Sequence, residues 1–176
     1  LARLSHRLGA PAMRAAARQA MRVMGNHFVL GESIDAAIAR TRTEGGPAYR
    51  YSFDMLGEGA RTDADAKRYF ASYAAAIAAI GRSAGGTVLP DRPGISVKLS
   101  ALHPRYEALS RGRVMRELVP ALCELARAAK AHDLNFTIDA EEADRLELSL
   151  DVFAAVLADP ALAGWAGFGL ARSEEH

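Results

Sequence analysis

Polar and apolar positions alternate in three short stretches of this chain, and each stretch ends on a charge. Ser52-Phe53-Asp54, Ser96-Val97-Lys98 and Thr137-Ile138-Asp139 all read small polar, apolar, charged. Residues two apart on a strand share a face. The pattern therefore predicts strands with one apolar face (Phe53 and Met55; Ile95, Val97 and Leu99; Phe136 and Ile138) and one polar face. Parallel strands covered by helices on both sides usually read as continuous apolar runs instead. A charge near the carboxyl end of such a strand costs several kcal/mol if buried unpaired. Two carboxylates and an ammonium at matching positions on three strands point to a site.

Helical patterns fill the gaps between these strands. A strand at 50–56 meets the turn Gly57-Glu58-Gly59, and Thr62 with Asp65 forms a capping box opening a helix to about Arg82. A strand at 94–100, a helix over 111–131, a strand at 135–140 and a helix over 143–158 follow, and Gly167-Phe168-Gly169-Leu170 reads as a fourth strand. Strand starts lie about 44, 40 and 32 residues apart. This is βα repetition on the scale of a (β/α)₈ barrel, whose eight units take about 250 residues and whose reactive groups sit at the carboxyl ends of the strands. Asp54, Lys98 and Asp139 fall at such ends. A doubly wound sheet also alternates strand and helix, but no Gly-x-Gly-x-x-Gly follows these strands, and polar stripes suit a barrel lumen better. The expected fold is α/β: about the first four βα units of a (β/α)₈ TIM barrel over 49–171, with a helical arm over 1–48.

In the arm, Pro11 suits a first helical turn, and Met13, Ala17, Met21 and Met24 recur as a packing stripe. Ser33 is placed to cap a short helix running to about Arg42, before a break at Gly45-Gly46-Pro47. Composition is that of a globular protein: 176 residues, 50% hydrophobic and 24% charged. Net charge of +1 argues against a general polyanion binder, yet residues 1–50 set eight arginines against Glu32, Asp35 and Glu44 for a local +5, leaving −4 for the rest. A basic arm could meet nucleic acid or anionic lipid. A solvated helix face is the plainer reading, and no nucleic-acid partner is expected. The single cysteine, Cys123, rules out an internal disulfide and reads as a small buried residue. No apolar run approaches the roughly 20 residues of a membrane span, so the expected compartment is the cytoplasm.

Lys98 is the sharpest single position. At a strand end it could fix a substrate carboxylate as a point charge, form a Schiff base if desolvated, or simply pair with Asp54 or Asp139. Asp139 and Glu141 share a face of an extended segment and could bind a divalent cation. Such an ion wants further ligands, and only His103 is near in sequence, so no metal is expected. Glu142 and Asp144 suit a helix amino terminus. Asp54 ends its strand, and Glu58 follows in the loop, where a carboxylate can orient a basic group. In His103-Pro104-Arg105-Tyr106 the arginine and tyrosine could meet a phosphate or a flavin ring, or serve only the loop.

Three segments also carry a resemblance. Tyr49-Arg50-Tyr51-Ser52-Phe53-Asp54-Met55-Leu56-Gly57-Glu58, Gly94-Ile95-Ser96-Val97-Lys98-Leu99-Ser100-Ala101-Leu102-His103-Pro104-Arg105-Tyr106 and Ile138-Asp139-Ala140-Glu141-Glu142-Ala143-Asp144-Arg145-Leu146-Glu147 resemble the proline dehydrogenase domain of bacterial proline utilization A flavoproteins. The resemblance runs in order over roughly residues 3–170. It implies a (β/α)₈ barrel binding FAD and oxidising L-proline to Δ1-pyrroline-5-carboxylate, with hydride passing to flavin N5 and electrons on to membrane quinone through peripheral contact by the full-length protein. It further implies that Lys98 helps hold the proline carboxylate and that Asp139 stands beside substrate and flavin. Glu58 would pair with an arginine supplied later in the family's chain, with Asp54 a nearby acidic position.

Past Leu170 the family continues through four more βα units, whereas Arg172-Ser173-Glu174-Glu175-His176 does not match. The chain thus reads as the first half of the barrel, expected to bind FAD poorly and oxidise little proline alone. Two other readings stay open at this point: a barrel lyase or aldolase using Lys98 as a Schiff-base amine, and a non-enzymatic interaction module built on the basic arm.

Overall fold

The computed structural model describes residues 2–45, 49–57 and 59–172. Glu58, the Gly46-Pro47 break and the tail 173–176 lie outside the described residues. The chain divides into two compact units at Gly46-Pro47.

The first unit is helical. Helix α1 spans Ala2–Phe28 and contains Pro11 in its interior, so Pro11 does not open the helix as its sequence position suggests. Helix α2 spans Ile34–Arg40, capped by the Ser33 hydroxyl, which accepts from the Ala36 N–H at 3.2 Å. A π turn over Thr41–Gly45 follows. Gly31 is required here, because a Cβ would stand 2.5 Å from the Ala37 nitrogen. The methionine stripe is not core. Met13, Met21 and Met24 are 73%, 73% and 63% exposed, since no described element of this unit covers that side of α1.

The second unit is a sheet of four parallel strands in the order β1-β2-β3-β4. Strand β1 is Ser52–Asp54, β2 Gly94–Lys98, β3 Asn135–Ala140 and β4 Phe168–Arg172. Helix α3 (Asp63–Ser83) joins β1 to β2, and its Thr62–Asp65 capping box is present. A short helix α4 (Leu99–Leu102) and the long α5 (Arg111–Ala131) join β2 to β3. Helix α6 (Leu146–Leu157) joins β3 to β4. Three consecutive parallel βα units and a fourth strand are the TIM-barrel pattern, present in part.

The back of the sheet is where the alternation put it. Ile95, Val97, Phe136 and Ile138 are wholly buried, each contributing roughly 1.5–3 kcal/mol. Tyr73, Ile77 and Ile80 of α3, Leu118, Leu122 and Leu125 of α5, and Val152 and Val156 of α6 complete that core. Helix α3 packs on β2, while α5 and α6 pack on β3. Leu99 is buried too, but as the first residue of α4 and not on a continuing strand. The chain turns immediately after Lys98, which leaves the lysine at the sheet's rim.

Candidate active site

Strand register decides which polar residues meet. Asp54 lies opposite Ser96, whereas Lys98 lies opposite Asp139. The three charges therefore occupy two levels: Asp54 sits two residues lower than the matching triplets suggest. Register is fixed by the apolar back face, and strands of a barrel are staggered, so equal motifs need not sit at equal heights. The length of lysine removes the offset. Lys98 Nζ reaches back to the Asp54 carboxylate at 3.0 and 3.3 Å and stands 3.8 Å from Glu141 Oε1. Below the charges, the Ser52 and Ser96 hydroxyls share a hydrogen bond of 3.3 Å.

Asp139 joins this group from β3. Its carboxyl is pushed up to about 6, first by burial, then by the negative charges of Asp54 and Glu141; Lys98 and a hydrogen bond with Ser96 pull the other way. The Lys98 side chain is 21% exposed, against 38% for Asp54 and 56% for Glu141. The site is thus an ammonium at the carboxyl end of a parallel sheet, flanked by carboxylates and open to solvent on one side.

Other sequence candidates are placed elsewhere. His103 is buried; its Nδ1 accepts from the Arg105 N–H at 3.1 Å, so Nε2 carries the proton and donates to Glu117 at 3.2 Å. Tyr106 is buried, its hydroxyl 2.6 Å from Ser149 Oγ, and burial raises its phenol to about 12. Arg105 is exposed beside Glu107 at 3.5 Å. These side chains border a polar cleft of about 400 Å³ with Arg61, Glu142 and Arg145. Lys98, Asp54 and Asp139 are not in its lining. Among the described residues no cluster of three or more His, Cys, Asp and Glu is placed to hold a metal ion. Cys123 is buried, and burial raises its thiol.

Two features escaped sequence reasoning. Tyr73, on α3, accepts a hydrogen bond from the Lys98 N–H at 3.1 Å. On β4, Gly169 and Ala171 pair with Thr137 and Asp139 and so face the charged group, and a Cβ at Gly169 would meet no atom of the described residues within 4 Å. The spacing of Tyr69 and Tyr73 on one helix face was the available signal for the first. The second needs the register.

A parallel βα sheet of barrel type with its charged group at the strands' carboxyl ends defines the class: a partial TIM-barrel domain. Residues 35–172 match the family model described as proline dehydrogenase. The chain belongs to the proline dehydrogenase family. It is 49% identical over 169 residues to the bifunctional protein PutA of Klebsiella aerogenes and 48% identical to that of Escherichia coli, covering 96% of this chain and 13% of each relative. The chain thus spans about an eighth of the curated relatives it matches. A crystal structure of Bradyrhizobium japonicum proline utilization A, mutant D778Y, aligns at 72% identity and TM-score 0.74 over 96% of this chain and 17% of that one. Proline utilization A from Bdellovibrio bacteriovorus inactivated by N-propargylglycine, at 21% identity, shares the fold with TM-score 0.82, covering 90% of this chain and 18% of that one. Among the described residues no helix is long and apolar enough to cross a membrane.

Proposed function

We propose that this chain supplies the proline-binding side of an FAD-dependent enzyme that oxidises L-proline to Δ1-pyrroline-5-carboxylate. The observation that carries the reading is the Lys98 ammonium, held at the sheet's rim between Asp54 and Glu141 in a chain of the proline dehydrogenase family. Lys98 holds the substrate carboxylate as a point charge, and Asp54 orients the ammonium. Asp139, ionised above about pH 6, faces the substrate's ring nitrogen. Glu58 pairs with an arginine from later in the family's chain.

The residues present fit a flavin on one side. Of the wall formed by Gly169 and Ala171, Gly169 has no described atom within 4 Å of where a Cβ would stand, and Asp139 borders it. FAD, when bound, supplies the two-electron acceptor that the side chains lack. The full-length enzyme works in the cytoplasm and passes electrons to quinone by peripheral contact with the inner face of the membrane. The helical arm over 1–48 and the half-barrel over 49–171 are two segments of it.

A Schiff-base lyase is disfavoured, because Lys98 Nζ is engaged in an ion pair with Asp54 at 3.0 Å and stands 3.8 Å from Glu141. The test is Lys98→Met in the full-length, flavin-loaded protein. We expect kcat/KM for proline to fall by roughly two to three orders of magnitude, as for truncating one partner of a charge pair, with flavin content unchanged. Wild-type protein whose flavin proline does not reduce would sink the reading.

A further inference from the structure

Helix α3 carries Tyr69 and Tyr73 one turn apart, on the same side. Both reach the loops that frame the site. The Tyr69 hydroxyl donates to the Gly57 carbonyl at 2.7 Å, just after β1. Tyr73 is wholly buried, and its hydroxyl accepts from the Lys98 N–H at 3.1 Å. The ladder between β1 and β2 ends at Asp54–Ser96, so the Lys98 N–H lies two residues beyond the last pair with β1. At Leu99 the chain turns into α4, which makes Lys98 (φ −90°, ψ 126°) the last extended residue of its strand. A lysine stem has four rotatable bonds, and its starting direction is set by the backbone at its own Cα. That backbone is braced by a phenol from the helix behind it.

We infer that Tyr73 is a positioning residue: through the Lys98 N–H it sets the direction in which the ammonium meets a substrate carboxylate. The inference rests on Lys98 holding that carboxylate, as proposed above. It separates from plain structural support because a support acts on any substrate, whereas a positioner of Lys98 acts only on substrates that carry the group Lys98 binds. Pyrrolidine, the same ring without a carboxylate, is the comparison molecule.

The experiment uses the full-length, flavin-loaded enzyme and its Tyr73→Phe and Tyr69→Phe variants, reading flavin reduction by proline and by pyrrolidine in the stopped flow. Tyr73→Phe should lower kcat/KM for proline about tenfold, mostly through KM, since a part-buried N–H loses its phenol acceptor. Its rate with pyrrolidine should stay within about twofold. Tyr69→Phe, on the same helix, should leave the proline-to-pyrrolidine ratio unchanged. If Tyr73→Phe fails to fold, 4-fluorophenylalanine at position 73 fills the hydroxyl's space with only a very weak acceptor and is read by the same ratio. Equal losses on both substrates, or no loss on proline, overturn the inference while normal wild-type proline oxidation leaves the enzyme reading intact. A wild-type flavin that proline does not reduce overturns both.

Discussion

The open face of the sheet has two unlike walls. Over β1, β2 and β3 it carries Asp54, Lys98 and Asp139 above a floor of Ser52, Ser96 and Thr137. Over β4 the same face carries Gly169 and Ala171, small residues with open space in front of the glycine. Behind the sheet this contrast vanishes: Ile95, Val97, Phe136 and Ile138 are buried there, and Phe168 of β4 stacks on Phe153 with ring centroids 4.8 Å apart. The fold is satisfied by that back face alone. Neither the charges of one wall nor the small residues of the other are needed to build four parallel strands. Under the proposed function, the first wall would meet a small charged substrate and the second would face the flavin.

Filling the empty wall should give the largest effect. Gly169 lies in regular strand with room for a side chain, so Gly169→Phe should leave the full-length protein folded, its stability changed by no more than about 1 kcal/mol. The ring would stand where we place the flavin. Flavin absorbance per protein should fall more than about tenfold, the scale of a steric clash worth over 1.4 kcal/mol, while Gly169→Ala keeps it. Full flavin content in the Phe variant would move the cofactor off this wall.

Much of the charged wall was legible in sequence because a strand's period of two ties each polar residue to its face. The back-face residues, the capping box at Thr62 and the strand-end placement of Lys98 all follow from that rule and local chemistry. The level of Asp54 did not follow, because register depends on neighbouring strands. Nor did the end of β2: Leu99 continues the apolar alternation, yet the backbone turns there into α4, a choice that alternation cannot signal. The exposed methionines of α1 misled for another reason. Their spacing defines a stripe, but a stripe says nothing of what covers it. The empty wall was the least legible, since a glycine in a strand reads the same whether it makes room for a ligand or for a neighbour, as Gly94 does against Asn135 Cβ at 2.7 Å.

Within the charged wall, Asp54→Asn tests whether the lower level matters. The pair with Lys98 is partly exposed, so its loss costs about 1 kcal/mol or less. Glu141, 3.8 Å away on the other side, would then draw the ammonium across. We expect kcat/KM for proline to drop about threefold to fivefold with flavin content intact. An unchanged value would mean that Asp54 is a bystander and that Lys98 is oriented by its backbone and Glu141.

Asp139 gives the most specific effect, because its loss should also show in pH dependence. Its carboxyl titrates near 6 in the folded protein against 3.8 ordinarily. Between those values the folded state binds more protons than the unfolded one, so stability falls as pH rises through that window and is level above it. Asp139→Asn should remove that part of the slope: relative to wild type, the variant should gain in urea midpoint between about pH 4 and about pH 8. The same group should set an acid limb near pH 6 in proline kcat/KM, with activity rising as the carboxylate ionises, and the Asn variant should lack it. A limb near pH 6 that survives in the variant would assign the titration to another group, and the charged wall would keep Lys98 as its centre without Asp139 as the partner of the ring nitrogen.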